Sequence, residues 1–337
     1  MKTSVIDIGL QWEAPALTLA LSQVFNQGEA AQVIVNTTGS SGIRKRTLLS
    51  TDAIGKSAEL SNAQVGAEPG NIWSLLLPIN HVAGLNVLAR AIKLGSEVVS
   101  VNETADYTAI VPTQLHRALF GDAKLLEHLQ KCKSVLVGGS PASKTILEAA
   151  AKAEIKVVTT YGMTETSGGC VYNNKALPGV SVKADESGLL MIKGPILANG
   201  YENNQELWNE KFKDGWFLTS DLGTVKDNEV QIIGRADDVV ISGGENISLT
   251  TIEIELAANF PCVKFLATSI ADAEWGQKIC LISDYEIDID QVTQVLKNNL
   301  GKQFVPKEFL VVKQIPEIGI GKPDRVKASQ LFLDKQR

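Results

Sequence analysis

The chain has 337 residues, 44% of them hydrophobic and 21% charged, with a net charge of −6 and a pI near 5.3. That length predicts a large domain plus a small one. The acidic balance, with no basic stripe, excludes the usual nucleic-acid binders. Ordinary Gly and Pro contents exclude collagen-like architectures, and no run approaches the ~18 apolar residues of a membrane span. The opening MKTSVIDIGL lacks the apolar run of a signal peptide, so a cytoplasmic protein with neither nucleic-acid nor membrane partners is expected. Cys132, Cys170, Cys262 and Cys280 form no C-x-x-C pair, and His81, His116 and His128 lack metal-ligand spacing. Reduced, mostly buried thiols are the expectation.

In chain order, AQVIVNT (31–37) reads as a buried strand. Helix-period apolar positions follow over 82–94. SVLVGG (134–139) reads as a strand, 141–153 as a helix and KVVTT (156–160) as a strand. This alternation predicts α/β layers with parallel pairing, and ligands then sit at the carboxyl ends of strands. Three polar or Gly-rich loops occupy such positions: 37–42, 138–143 and 161–166. From about 188, GLLMIKG, WFLTSDLGTV and EVQIIGR read as short antiparallel strands. After Gly234 comes a compact α+β segment: the strand VVIS, a Gly-Gly turn, the helix LTTIEIELAANF, two β-rich runs, a helix near 289–300 and a strand near 308–314. The domains are expected at 1–235 and 236–337, with the boundary near Gly234–Asp238.

Several of these loops carry chemistry. TTGSSGIRK (37–45) combines hydroxyls, glycines and Lys45, which suits phosphate oxygens, although neither the Walker A nor the dinucleotide pattern is met. A flexible Ser/Gly turn is the plain alternative. In YGMTETSGG (161–169), Tyr161 could stack on a flat base, Thr164 could bond a phosphate or acyl oxygen, and Glu165 could hold Mg²⁺. The alternative is a capped helix start. Asp221 could accept from ribose hydroxyls or be a turn aspartate. Arg235 and Asp237 fall at the domain junction, as a hinge or as solvated linker. Gly243 and Gly244 read as a hairpin turn. Lys322 in GIGKPDR is a lone lysine in a Gly-rich loop.

Together and in this order, these segments resemble the adenylate-forming superfamily of acyl-CoA synthetases, luciferases and adenylation domains. The resemblance spans residues 33–327 through five motifs. It implies a large N-terminal α/β domain with mixed sheets and a small mobile C-terminal α+β domain. It further implies phosphate binding by Thr37, Thr38, Gly39, Ser40, Ser41, Gly42 and Lys45. Gly138, Gly139 and Ser140 would line the base or acyl pocket, Tyr161, Gly162 and Met163 would lie in the adenine motif, and Thr164 and Glu165 would take catalytic roles, with Glu165 on Mg²⁺. Asp221 and Arg235 would hold ribose, Lys322 would be the catalytic lysine, Asp237 the hinge, and Gly243-Gly244 the face presented to coenzyme A.

LPINHVAGLNVLARAI (77–92), IVPTQLHRAL (110–119) and YGMTETSGGCVY (161–172) are similar, more narrowly, to the o-succinylbenzoate–CoA ligase family of menaquinone biosynthesis, in its short actinobacterial form. About 36 residues precede the phosphate loop, fewer than most superfamily members carry. The implied ligands are ATP, Mg²⁺, coenzyme A and o-succinylbenzoate, and a homodimer is a family expectation. His81, Asn86 and Arg90 are candidates for the substrate's second carboxylate, with 86 and 90 on one helix face. A solvated helix arginine and a helix-start or core histidine are the plain readings of Arg90 and His81. The chain departs from the superfamily pattern at Arg44, at the TSD of 219–221, at Ser242 and at Thr251. Other readings are a ligase for another aryl or medium-chain acid, transfer to a carrier-protein thiol, and a nucleotide-binding module without catalysis.

Overall fold

The structure is a computed structural model that describes residues 4–27, 31–38, 44–261, 263–318 and 322–335. The chain divides into two compact units. One comprises Met1–Ala142, Leu147–Thr219 and Thr224–Gln231; the other comprises Ser143–Ile146, Ser220–Gly223 and Ile232–Arg337.

The larger sheet begins with four parallel strands, Trp73–Ser74, Tyr107–Ile110, Ser134–Val137 and Val157–Met163. It continues antiparallel through Gly168–Tyr172 and Lys175–Ala176 to Glu229–Arg235, Trp216–Lys226, Leu189–Lys193 and Ser181–Ala184. The predicted α/β alternation and the later antiparallel strands are therefore both present. Helix Val82–Leu94 buries nearly every face, with Leu85 and Leu88 fully enclosed, each worth about 1.5–3 kcal/mol. Gly95, at φ 67°, ends it in the left-handed conformation. Such a helix carries two of its three polar residues, Asn86 and Arg90, into the interior.

Strand Ala31–Thr38 departs from the expectation. It joins a separate sheet, parallel to Ser4–Asp7 and antiparallel to Arg44–Ser50, which in turn pairs with Gly200–Tyr201. The basic cluster after the Gly-Ser loop is the returning strand of a hairpin. The reason is local: RTLLS extends the β pattern, and Ser50 then caps the next helix by accepting from the Ala53 amide at 3.1 Å.

In the second unit, Val239–Ser242 pairs with Glu245–Ser248 and, at its end, with Gly276–Ser283, which lies between Phe265–Asp272 and the parallel Glu308–Val311. Alternation along the strands splits the core. Ala267, Ile279 and Leu281 face helices Leu249–Asn259 and Ile289–Asn299, while Leu266, Ile270, Cys280 and Ile282 face helix Arg325–Lys335. Among the described residues, no helix is long and apolar enough to cross a membrane. Cys132, Cys170 and Cys280 are buried, and burial pushes the Cys132 and Cys280 thiols up to about 12; Cys262 lies outside the described residues.

Helix Ala123–Lys131 buries His128, whose Nε2 lies 2.8 Å from the Ser74 hydroxyl. Burial holds this imidazole below its ordinary pKa, outweighing an opposing hydrogen bond with the Glu103 backbone. As pH falls, the unfolded chain binds its proton first, near pH ~6.5, so stability is present above that value and is lost as pH falls through the folded pKa. His128→Gln is expected to flatten this loss: the urea midpoint of the variant should drop less than that of the parent between about pH 7 and about pH 5.5.

Candidate active site

The distinctive segment of the first unit is the turn after strand Val157–Met163. Thr164–Thr166 form one 3₁₀ turn, closed by Ser167 in the left-handed conformation at φ 50°. The Thr166 hydroxyl accepts from the Met163 amide at 2.9 Å and donates to the Gly168 carbonyl at 2.6 Å. The Ser167 carbonyl accepts from the Asn86 side-chain amide and from the Ser57 hydroxyl, the latter at 3.0 Å. Two helices therefore fix this turn through buried polar contacts. Met163 packs against the core, and Thr164 is buried.

Glu165 is held at both ends. Its carbonyl accepts from the Ala198 amide at 2.8 Å, and its Oε1 accepts from the Tyr201 hydroxyl at 2.7 Å. Tyr201 was not among the sequence candidates, because its strand partner Thr47 is distant in sequence. Burial and the neighbouring Glu165 push its phenol far above the ordinary range, so it remains a donor. Lys45 lies 5.2 Å from the Tyr201 ring centroid. Between strands Ala31–Thr38 and Arg44–Ser50, Thr37 pairs with Lys45 and Thr38 with Arg44, and the Thr37 hydroxyl donates to the Lys45 carbonyl at 3.4 Å. Gly39, Ser40, Ser41 and Gly42 lie outside the described residues.

At the end of strand Ser134–Val137, a Cβ on Gly138 would lie 2.2 Å from the Thr160 hydroxyl, so only glycine permits this approach to the next strand. Gly139 takes φ 89°, and Ser140 is half-buried in the same loop. Tyr161 is half-buried beside a register shift at Gly162.

Helix Val82–Leu94 places the three substrate candidates differently. His81 is the half-buried residue preceding it, and its side chain makes no cap hydrogen bond. Asn86 is fully buried, bonded to the Val82 and Ser167 carbonyls. Arg90 is 4% exposed, with its guanidinium 5.0 Å from the Trp73 ring centroid and Nη2 3.5 Å from the Tyr172 hydroxyl. Its Nε and Nη1 are buried with no partner among the described residues. Burial lowers its pKa, although a guanidinium stays charged.

In the second unit, Asp221 is buried and accepts from Arg235 Nη1 at 3.2 Å. Arg235 also grips Asp237 through Nε and Nη2, at 2.8 and 2.7 Å. Burial opposes its charge, but the Asp237 and Asp221 pairings outweigh this and raise its pKa. Gly243 and Gly244, both at positive φ, turn the hairpin. Gly243 donates to the Trp275 carbonyl at 2.9 Å, and an open groove of about 610 Å³ runs along Gly243, Gly244, Trp275 and Gln277. Lys307 Nζ sits 4.2 Å from the Trp275 ring centroid. The Lys322 backbone pairs with Ile318. Three residues on, Arg325 bonds Asp238, Glu253, Thr250 and the Ala267 carbonyl. Trp275, Lys307 and Arg325 were not singled out in the sequence; an Arg directly after Pro-Asp at a helix start was the available signal for the last.

Known proteins point the same way. A family profile described as AMP-binding enzyme matches residues 10–202. A probable 2-succinylbenzoate–CoA ligase of Mycobacterium tuberculosis is 34% identical over 89% of this chain and 84% of its own length. The 2-succinylbenzoate–CoA ligase of Listeria monocytogenes is 29% identical over 88% of this chain and 69% of its own. Among solved structures, MenE from Bacillus subtilis in complex with the acyl-adenylate intermediate OSB-AMP superposes with a TM-score of 0.76 at 25% identity, covering 88% of this chain and 68% of that one. ATP-bound MatB from Rhodopseudomonas palustris gives 0.79 at 26% identity, covering 90% and 69%.

The turn's tolerance can be tested. A Cβ on Gly162 would lie 2.0 Å from the Gly168 carbonyl oxygen. Gly162→Ala should cost roughly 2–4 kcal/mol in urea unfolding, whereas Ser140→Ala should stay within about 0.5 kcal/mol. From the profile, the relatives and the motif geometry together, the chain belongs to the AMP-binding enzyme family, alongside the 2-succinylbenzoate–CoA ligases.

Proposed function

We propose that this chain is an ATP-dependent acid–thiol ligase that joins 2-succinylbenzoate (o-succinylbenzoate) to coenzyme A in menaquinone biosynthesis. The observation carrying the substrate is Arg90, a buried cation with two unpartnered donors in a chain whose relatives are named for a dicarboxylic acid. An unmatched buried guanidinium is costly unless a ligand carboxylate completes it. Of the three substrate candidates, Asn86 already serves the Ser167 carbonyl and His81 precedes the helix, so Arg90 takes the ring carboxylate.

In the first half-reaction the other carboxylate attacks the α-phosphorus of ATP. The bond to the β-phosphate breaks and pyrophosphate leaves. The barrier is charge repulsion and positioning, so fixed donors and cations carry the catalysis. Residues 37–42 and Lys45 hold the β- and γ-phosphates. Tyr161 lies against adenine, with Gly138, Gly139 and Ser140 beside it, and Asp221 accepts from ribose hydroxyls while Arg235 steadies it. Lys322 neutralises charge between the acyl carboxylate and the α-phosphate. Mg²⁺ suits the donor set, since Glu165 and Thr164 offer hard oxygens. No cluster of three His, Cys, Asp or Glu forms a protein-only cage among the described residues, so phosphates and water would complete its shell. Bound there, it would lower the charge of the polyphosphate. In the second half-reaction the thiol of coenzyme A attacks the acyl carbon and AMP leaves. Residues 236–337 turn about Asp237 between the steps, exchanging Lys322 for the Gly243-Gly244 face. ATP and coenzyme A as cosubstrates suit the cytoplasm as the working compartment.

A mass-spectrometric assay with ATP, Mg²⁺, coenzyme A and parallel acids tests the reading. The 2-succinylbenzoyl thioester with AMP should form far faster than benzoyl, succinyl or octanoyl thioesters; a thioester from another acid alone overturns the substrate. Arg90→Met should raise KM for 2-succinylbenzoate about ten- to hundredfold, the worth of one charge-assisted pair, with little change in KM for ATP. Its stability should hold or rise, because an unmatched buried charge is removed. Lys322→Ala should abolish adenylation yet spare thioester formation from preformed acyl-adenylate, as followed by single-turnover quench; equal loss of both steps refutes that division.

A further inference from the structure

We propose that Tyr201 is a positioning residue that couples Glu165 to Lys45 and aims both at the polyphosphate side of the nucleotide; this rests on the adenylation reading above. Tyr201 sits in the two-residue strand Gly200–Tyr201, opposite Thr47 on the returning strand of the phosphate-loop hairpin. Its ring is 3% exposed and fixed edge-on by Trp208, with centroids 5.4 Å apart at 86°. From that fixed ring the hydroxyl donates to Glu165 Oε1 at 2.7 Å. One carboxylate oxygen is thereby occupied, and the carboxylate plane is set with Oε2 left to accept from a ligand. The ring face meanwhile holds the Lys45 ammonium at 5.2 Å.

The two groups it connects come from different sheets. Lys45 belongs to the four-stranded sheet and Glu165 to the turn leaving the large one. The neighbours of Tyr201 reinforce the connection: the Ala198 amide donates to the Glu165 carbonyl, and the Glu202 amide donates to the Arg46 carbonyl at 2.8 Å. Glu202 also pairs with Arg46, which reaches Asp7 at 3.0 Å. Segment 198–202 therefore binds the hairpin on one side and the acidic turn on the other. One phenol at their junction sets the spacing between a carboxylate suited to a hard cation and an ammonium suited to phosphate. ATP with its metal uses both groups, whereas AMP lacks the β- and γ-phosphates that Lys45 would meet.

Calorimetric titration of the full chain with Mg·ATP and, separately, with AMP tests the proposal. Tyr201→Phe keeps the ring and its hold on Lys45 but removes the donor to Glu165. It should weaken Mg·ATP binding about tenfold while AMP binding stays within about twofold. In a Glu165→Gln background the same substitution should cost far less, since its partner is already altered. Equal weakening toward both nucleotides would show a merely structural tyrosine and overturn the proposal, as would no weakening of Mg·ATP binding. A parent protein that binds neither nucleotide would sink the adenylation reading itself. Tyr201→Leu, which also removes the ring face, should weaken Mg·ATP further than Tyr201→Phe; identical losses would overturn the Lys45 half of the proposal.

Discussion

The short turn at Thr164–Ser167 is the constraint on which the first unit's site depends. Ser167 takes a left-handed conformation that costs a non-glycine residue about 1–2 kcal/mol. That cost is offset by a carbonyl held from two helices, through Asn86 and Ser57, and by the Thr166 hydroxyl bridging Met163 and Gly168. Gly162 and Gly168 allow the backbones to meet at distances no Cβ permits. The result is that Glu165 leaves a platform anchored by buried hydrogen bonds at the carboxyl end of a parallel strand. Such preorganisation matters for electrostatic catalysis, where an acceptor that had to reorient would forfeit much of its effect.

The second unit obeys a different logic, in which arginines order acidic residues around a junction. Arg235 divides its donors between Asp221, on the preceding strand, and Asp237, two residues along. Arg325 gathers Asp238 and Glu253, both largely buried. Burial pushes the Glu253 carboxyl up against the Arg325 pairing, while the same pairing raises the Arg325 guanidinium. Adjacent residues Asp237 and Asp238 are thus held by different arginines. One is tied to the strand pair carrying Asp221, the other to the helix that begins three residues after Lys322. A proposed pivot at Asp237 would leave the Asp238–Arg325 cluster intact, because all members of that cluster follow it in the chain.

Much of this was legible in the sequence, for identifiable reasons. The strands at 134–137 and 157–163 and the helix at 82–94 follow apolar periodicity, which burial enforces along each element. The loops after them are marked by residue types that backbone geometry demands, such as Gly138 against Thr160. What periodicity does not encode is which sheet a strand joins. Ala31–Thr38 has the composition of a parallel core strand and runs parallel to Ser4–Asp7, yet it lies outside the larger sheet and pairs on its other side antiparallel with Arg44–Ser50. Tyr201 was invisible for the same reason: its significance arises from pairing opposite Thr47, and nothing in GYEN announces that partner.

Arg90 and Arg325 differ in how far the fold itself compensates a desolvated charge. Arg90 is buried and Arg325 half-buried, and by residue type alone they are indistinguishable. Arg325 meets two carboxylates, a hydroxyl and a carbonyl, so its desolvation is compensated within the fold. Arg90 meets a tryptophan face and one tyrosine hydroxyl at 3.5 Å, which together replace only part of the hydration of a guanidinium. A fold optimised for stability alone would favour an apolar residue at position 90, since the helix around it is apolar on nearly every side. In the function proposed above, a ligand would supply the missing acceptors, and a carboxylate is the group whose geometry fits a guanidinium with two unpartnered donors.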